Sequence, residues 1–227
     1  MTLVIASMVG TGVFTSLGFQ LEEIQSGFVL LLLWVVGGIV ALAGAVSYAE
    51  LGALLPRSGG EYNFLARIYH PAAGFVSGCI STIMGFSAPS ALVAITFGTY
   101  VASAFPGQSP TLWAVGLILA LTGIHTTTRR AGARVQRSTT FVKIALIVSF
   151  CVAAWFWVPV AQPINFTPSL DQLPLITSGA FAVALIYVYY AYTGWNTVTY
   201  MMDEFEEPGE MLSHVMGKGT LIVLCLY

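Results

Sequence analysis

Two short runs of glycine, hydroxyl and aromatic residues interrupt otherwise apolar stretches of the sequence. One is Gly10-Thr11-Gly12, and the other extends from Tyr190 to Asn196. Glycine weakens a helix by about 1 kcal/mol relative to alanine, so both runs favour local unwinding, which frees backbone N–H and C=O groups. In lipid such groups are tolerated only where they line a cavity or bind something. The runs are therefore candidate binding sites, although close helix packing is the alternative explanation for the two glycines of the first run.

The chemistry of an interrupted helix suits a molecule that carries both a negative and a positive charge. The N-terminus of a half-helix offers free N–H groups and the positive end of its dipole to a carboxylate. Unwound carbonyl groups beside it can accept hydrogen bonds from an ammonium group. The two runs lie in the first and the sixth apolar segments, which are the first segments of two successive five-helix units. Interrupted helices at matching positions of two such units indicate the substrate site of a transporter.

The rest of the sequence supplies the helices that would position these runs. Of the 227 residues, 57% are hydrophobic and 8% are charged, whereas a soluble chain is about a quarter charged. A membrane span needs about 20 apolar residues, and the apolar tracts of the chain accommodate six spans. We predict these spans at residues 1–21, 28–55, 72–104, 110–128, 138–160 and 178–202. The predicted fold class is an all-α polytopic membrane protein.

The six spans divide into two groups along the chain. Residues 1–160 form a predicted five-helix repeat, and residues 178–227 begin a second one. The apolar segment from residue 218 is under half as long as the hydrocarbon core is thick, so we expect the start of a seventh helix that is cut off. The first apolar segment has no basic residue before it, which argues against a signal peptide and favours a truncated first helix.

The basic residues predict how the chain is oriented in the membrane. Seven of the eight lysine and arginine residues fall on one side of the six spans, and the eighth, Lys143, lies near the end of the fifth span that faces the same side. The positive-inside rule makes this side cytoplasmic and places the N-terminus in the cytoplasm. We expect a multi-pass protein of the cell membrane, plasma or inner. No basic patch of the kind that nucleic acid requires is present.

Several motifs, in the order in which they occur, resemble the amino acid–polyamine–organocation (APC) superfamily of amino acid permeases. Residues 10–14 resemble its G-[ST]-G-[IV]-F motif in helix 1, and residues 190–196 resemble its F-A-Y-x-G-W-N run in helix 6. Residues 48–52 and 56–62 resemble the end of its helix 2 and the cytoplasmic loop that follows. The resemblance covers essentially the whole chain. It implies a LeuT-type inverted-repeat transporter, present in part as helices 1–6 and the start of helix 7.

The function implied by this resemblance is secondary active transport of amino acids or related amines by alternating access. The substrate would lie between helices 1 and 6. At the first break, beside Gly10, the amides of Thr11 and Gly12 would bind its carboxylate. Carbonyl groups around Met8 would bind its ammonium group.

The same resemblance assigns residues of the second break. The carbonyls of Tyr190 and Ala191 would also accept from the ammonium group, the Tyr190 ring would act as a gate, and Asn196 would be a polar pocket residue. The family usually has phenylalanine in place of Tyr190 and often has glycine in place of Thr193. Because both departures add a polar group, the pocket is not expected to be purely apolar.

Lys143 lies inside the fifth predicted span and has two interpretations. An intramembrane charge indicates function by default, but a lysine near the end of a span can also extend its ammonium group to the interface. In proton-coupled relatives a lysine at the matching position replaces the sodium ion of sodium-coupled members. The resemblance therefore favours proton coupling or exchange over sodium coupling, with Lys143 as the proton-coupling residue.

Other ligands and other function classes are less consistent with the sequence. The spans hold no pair of histidine or cysteine residues spaced for a metal, so no metal or cofactor is predicted. A membrane-embedded enzyme would need a nucleophile and base within the spans, and none is present. Some animal relatives pair with a glycoprotein subunit through a cysteine between helices 3 and 4. The turn from Phe105 to Pro110 has no cysteine, so we expect no disulfide-linked subunit; a non-transporting membrane subunit remains an alternative.

Overall fold

A computed structural model describes residues 1–127, 129–157, 166–205 and 208–227. Its described residues form helices and turns, with no β-strand. Five helical stretches of the described residues are long and apolar enough to cross a membrane: Thr2–Leu21, Gly27–Leu54, Pro71–Ala104, Pro110–Thr127 and Gly132–Trp157. A sixth span is possible if Leu170–Ile176 and Gly179–Glu204, which are bent by 68°, are counted as one. The helices are α1 Thr2–Met8, α2 Thr11–Leu21, α3 Gly27–Leu54, α4 Glu61–Ile68, α5 Pro71–Ile80, α6 Ala88–Ala104, α7 Pro110–Thr127, α8 Arg129–Trp157, α9 Leu173–Ile176, α10 Gly179–Tyr192 and α11 Pro208–Leu226. Short 3₁₀ helices cover Leu170–Gln172 and Trp195–Glu204.

These bounds differ from the predicted spans in two informative places. Helix α11 begins at Pro208, ten residues before the predicted start at 218, because a helix can include polar residues that a search for apolar residues leaves out. Helix α8 begins at Arg129, nine residues before the predicted 138, for the same reason. Residue 128, the last residue of the fourth predicted span, and residues 158–160, the last of the fifth, lie outside the described residues. The division into two five-helix repeats stays a prediction.

The chain divides into two compact units. The first comprises residues 1–60 and 139–227, and the second comprises residues 61–138. In the first unit, α3 packs against α10 and α11, while α1 packs against α11 and the 3₁₀ helix Trp195–Glu204. In the second unit, α4 packs against α5 and α6 packs against α7.

Helix α3 is the central packing element of the first unit. Its 28 residues would extend about 42 Å, enough to cross a bilayer. Its N-terminus is capped by Ser26, whose hydroxyl accepts from the Val29 amide. Buried glycine and alanine residues let its neighbours approach the backbone closely. A Cβ atom on Gly37 would lie 2.5 Å from the Val188 side chain of α10, and one on Gly38 would lie 2.7 Å from Leu224 of α11.

One helical distortion in the second unit was not predicted. Residues Ser81–Ser87 form a π-helix between α5 and α6. Pro89 follows in the first turn of α6. Proline has no N–H for the carbonyl four residues earlier, and its ring clashes with that carbonyl, so the preceding turn must widen or kink.

Candidate functional site

The first predicted interruption is present, and it separates α1 from α2. Helix α1 ends at Met8, Gly10 adopts an extended conformation with φ −116° and ψ −160°, and α2 starts at Thr11. No side chain caps the new N-terminus. Within the described part of the chain, the amides of Thr11 and Gly12 have no hydrogen-bond acceptor. The first turn of α2 therefore offers the free donors and the positive dipole end that were predicted from the sequence.

The second interruption is also present, and it follows α10. Helix α10 ends at Tyr192, Thr193 is extended, and the 3₁₀ helix begins at Trp195. Between them Gly194 has φ +118°, a conformation that side-chain-bearing residues rarely adopt. The Thr193 amide and hydroxyl both donate to the Tyr190 carbonyl, at 3.2 Å and 2.7 Å. This break thus supplies its own donors to one of the carbonyls that the helix end frees.

The two interruptions meet backbone to backbone. A Cβ atom on Gly12 would lie 2.7 Å from the Cα atom of Ala191, and one on Gly194 would lie 2.6 Å from the Ser7 carbonyl group. Both distances are shorter than real Cβ contacts. The contact surface is therefore made of main chain, and glycine is the residue that permits it at each position.

The first break has a partner that the sequence analysis missed. The Tyr227 hydroxyl donates to the Met8 carbonyl at 3.0 Å, and the Gly10 amide donates to the same oxygen at 2.8 Å. The Tyr227 ring also contacts Trp34 and Tyr192, with centroids 5.7 Å and 5.2 Å away. Tyr227 stood at the end of an apolar segment too short to be counted as a span. The sequence therefore carried no signal for its role.

The other predicted residues lie around the breaks with different exposures. Met8 and Ala191 are buried, with 2% of each surface accessible. The Tyr190 side chain is 48% exposed, Thr193 is exposed, and Asn196 is half-buried. The structure thus brings both breaks together while leaving the Tyr190 and Thr193 side chains open for contact.

Lys143 lies on α8 and is half-buried. Its ammonium group has no hydrogen-bond or ion-pair partner among the described residues. Ile147, one turn further along the same face, packs against the buried core of the first unit. This face of α8 is therefore directed toward the core, and the coupling role of Lys143 stays a prediction.

Trp34, which contacts the Tyr192 and Tyr227 rings in an aromatic cluster, also contacts the buried polar side chain of Gln20. The Trp34 indole N–H donates to Gln20 Oε1 at 3.0 Å. The Nε2 atom of Gln20 is buried and has no partner within the described residues. Gln20 is a polar residue of the apolar helix α2, and this contrast was the signal in the sequence that could have identified it as a buried polar group.

The described residues contain no cluster of three or more histidine, cysteine, aspartate and glutamate side chains that could hold a metal ion.

The chain has clear relatives among known proteins. A family model described as "Amino acid permease" matches residues 1–227. The large neutral amino acids transporter small subunit 2 of Mus musculus is 29% identical over 99% of the chain and 44% of its own length. The b(0,+)-type amino acid transporter 1 of Mus musculus is 27% identical over 99% of the chain and 47% of its own length.

A bacterial relative shows the same pattern. The serine/threonine exchanger SteT of Bacillus subtilis (strain 168) is 31% identical over 100% of the chain and 51% of its own length. The chain therefore spans about half the length of the curated relatives it matches.

Proposed function

The chain belongs to the amino acid permease family, and we propose that it works as part of a secondary active transporter that carries amino acids or related amines across the cell membrane. The observation that carries this proposal is the direct contact of two interrupted helices at Gly12 and Gly194. Interrupted helices that meet in this way are the usual architecture of a substrate site in such transporters. Relatives named as amino acid transporters support the substrate class.

The substrate carboxylate binds at the N-terminus of α2. The amides of Thr11 and Gly12 have no acceptor among the described residues, and no side chain caps this helix end. A carboxylate there would accept two N–H donors and lie at the positive end of the helix dipole, next to the extended residue Gly10.

The substrate ammonium group binds to carbonyls of both breaks. The Met8 and Tyr190 carbonyls accept hydrogen bonds from other groups of the protein in this structure, so an ammonium group has to share or displace those donors. The Ala191 carbonyl is the third acceptor that we assign. The half-exposed Tyr190 ring gates the site, and Thr193 and Asn196 form its polar wall.

Exchange or proton coupling is the mode of energy use that we propose. A relative that is named as an exchanger supports exchange. Lys143 has no partner for its ammonium group among the described residues, and it lies on the inward-directed face of α8. An ammonium group in this place can replace a bound cation and can release a proton when its surroundings change.

The orientation that we propose places the N-terminus in the cytoplasm. Seven of the eight basic residues lie on that side of the predicted spans, and Lys143 lies near the same end of the fifth span, which fits the positive-inside rule. Cysteine residues introduced one at a time at Ser58 and Ser109 test this orientation in intact cells. A membrane-impermeant thiol reagent should label the second position and not the first.

The prediction that no subunit is attached by a disulfide is not supported by the comparisons. One relative is named as a small subunit, which describes that protein as part of a complex. The turn from Phe105 to Pro110 contains no cysteine. Our proposal is therefore limited to the absence of a disulfide at this turn, and it does not extend to a non-covalent partner.

Uptake by the complete transporter in proteoliposomes tests the main proposal. A panel of labelled amino acids and amines is supplied with and without a pH gradient, and with unlabelled amino acid inside to detect exchange. Uptake of at least one amino acid is expected. Failure to take up any of them would favour a non-transporting membrane subunit, and sodium-driven uptake that is unchanged in Lys143→Ala would contradict the coupling proposal.

A further inference from the structure

The first three turns of α8 carry an arginine stripe, which we define as Arg130, Arg134 and Arg137. These residues are spaced i, i+4 and i+7, so their side chains leave the helix within about 60° of one another. All three are exposed. None of them forms an ion pair or hydrogen bond with a described residue. Three guanidinium groups on one helix face therefore lack an anionic partner in the described protein.

The sequence around the stripe offers little negative charge. Residues 61–138 contain five arginines and a single acidic residue, Glu61, and the next acidic residue is Asp171. Cations at a helix N-terminus are also unfavourable, since they face the positive end of the dipole. Helix stability thus does not explain why the arginines lie there.

The depth of the stripe follows from the length of α8. The 20 residues from Ser138 to Trp157 extend about 30 Å, which is the thickness of the hydrocarbon core. The arginine stripe then projects beyond the core into the headgroup layer, on the side that we propose to be cytoplasmic.

The same helix face continues as an apolar surface. Phe141, Val148 and Trp155 follow Arg137 at spacings that keep them on the face of the stripe, and they are 74%, 48% and 85% exposed. A face that is cationic at headgroup depth and apolar at acyl-chain depth matches the two parts of a phospholipid. Arginine is well suited to the headgroup because its planar donors bind phosphate oxygens in pairs.

We propose that the arginine stripe of α8 binds the headgroup of an anionic phospholipid from the adjacent leaflet. The bound lipid lies along α8, with its phosphate at the arginines and an acyl chain along the apolar face. The choice of leaflet rests on the orientation proposed above. The site itself does not depend on the identity of the transported substrate.

The test uses the complete transporter in phosphatidylcholine bilayers with spin-labelled phosphatidylglycerol. The association constant relative to spin-labelled phosphatidylcholine is measured for the wild type, Arg134→Gln and Arg67→Gln. Arg67 is the matched control, because it is also an exposed arginine near the end of a short helix, α4. Arg134→Gln should lower the phosphatidylglycerol preference by about fivefold, the expected contribution of one basic residue near an anionic surface, and Arg67→Gln should leave it unchanged.

Further arms separate this proposal from its alternatives. An equal loss in both variants would indicate a general surface field and would overturn the site. Loss of the preference on addition of millimolar inorganic phosphate would assign the stripe to a soluble anion instead. No preference in the wild type would overturn the proposal. Arg134→Lys should keep most of the preference, which shows that a loss in Arg134→Gln is not a folding defect.

Labelled lipid confined to one leaflet distinguishes the two proposals. Preference for phosphatidylglycerol in the opposite leaflet would contradict the orientation and leave the stripe intact. Absence of preference in both leaflets would contradict the stripe and leave the orientation and transport proposals untouched.

Discussion

The two interrupted helices satisfy their exposed backbone groups in different ways. At the first break, the freed Met8 carbonyl accepts from the nearby Gly10 amide and also from Tyr227, a residue that follows α11. At the second break, the freed Tyr190 carbonyl accepts from Thr193, three residues along the same chain segment. The first break therefore responds to the position of another helix, whereas the second is self-contained. This difference suggests that α11 can influence how available the first break is to a substrate.

The two breaks also use glycine differently. Gly194 is required by its positive φ and by its contact with Ser7, and Gly12 is required by its contact with Ala191 alone. Gly10 has neither constraint. Its backbone is extended, and the nearest atom to an added Cβ would be the Met8 carbonyl oxygen at 3.9 Å. The motif glycines are thus not equivalent.

The largest expected effect comes from filling the contact between the breaks. Gly12→Ala and Gly194→Ala force main-chain atoms apart, and overpacking of this kind costs about 1–3 kcal/mol. We expect roughly tenfold or greater loss of uptake in proteoliposomes for both variants. Gly10→Ala should keep uptake within about threefold of the wild type, since its Cβ meets only an ordinary contact.

Gly18→Ala is the matched control for this series. Gly18 lies on α2 and has nothing within 4 Å of an added Cβ, so this variant reports the effect of alanine on the helix alone. Equal loss of uptake in Gly10→Ala and Gly12→Ala would show that the close contact at Ala191 is not what makes glycine necessary.

The next effect tests the donor that the first break receives from outside. Tyr227→Phe removes the hydroxyl at the Met8 carbonyl and keeps the ring in its aromatic cluster. A hydrogen bond contributes about 0.5–1.5 kcal/mol, so the KM for amino acid uptake should fall by roughly twofold to tenfold as the carbonyl loses its hydroxyl donor and keeps only the Gly10 amide. Initial rates over a range of substrate concentrations measure this change.

Tyr187→Phe is the control for loss of a hydroxyl. The Tyr187 ring stacks on Phe19 with centroids 5.3 Å apart, and its hydroxyl has no partner among the described residues. Its KM should equal that of the wild type. A KM that rises in Tyr227→Phe would mean that the hydroxyl assists binding and does not compete with the substrate.

A smaller effect is expected at the self-contained break. Thr193→Val removes the hydroxyl donor to the Tyr190 carbonyl, but Thr193 is exposed, so water can replace this donor, whereas Met8 at the first break is buried. We expect the KM to fall by about twofold, near the lower limit for one hydrogen bond. Thr197→Val is the comparison, because its hydroxyl donates to Gly194 in the same i−3 arrangement. If Thr193→Val changes KM more than Tyr227→Phe does, the contrast between the two breaks is wrong.

The sequence was sufficient to predict the features that depend on local composition. The spans follow from uncharged tracts, and both breaks follow from glycine beside polar residues in apolar segments. Features that depend on a distant partner were not accessible. Tyr227 acquires its role only because α11 packs against α1, and the π-helix Ser81–Ser87 depends on how the turn before Pro89 relieves its missing hydrogen bond. Local patterns therefore locate the two breaks but do not reveal the side chains that donate to their carbonyls.

The smallest expected effect concerns the anchor of the second break. The Asp203 amide donates to Ser58 Oγ at 2.9 Å, and the Ser58 amide donates to Asp203 Oδ1 at 3.4 Å. These bonds tie the end of the 3₁₀ helix to the loop after α3. Ser58→Ala removes the shorter bond, and because both residues are accessible to solvent the loss should be at most about 1 kcal/mol.

Thermal unfolding of the purified protein measures this loss. Ser58→Ala should lower Tm by about 2–4 °C, the usual shift for 1 kcal/mol in a chain of this size. Ser47→Ala is the control, because its hydroxyl donates only to Ala43 within α3, and its Tm should not change. A larger fall in Tm together with lost uptake would mean that the 3₁₀ helix depends on this anchor, so that the second break is not self-contained and resembles the first.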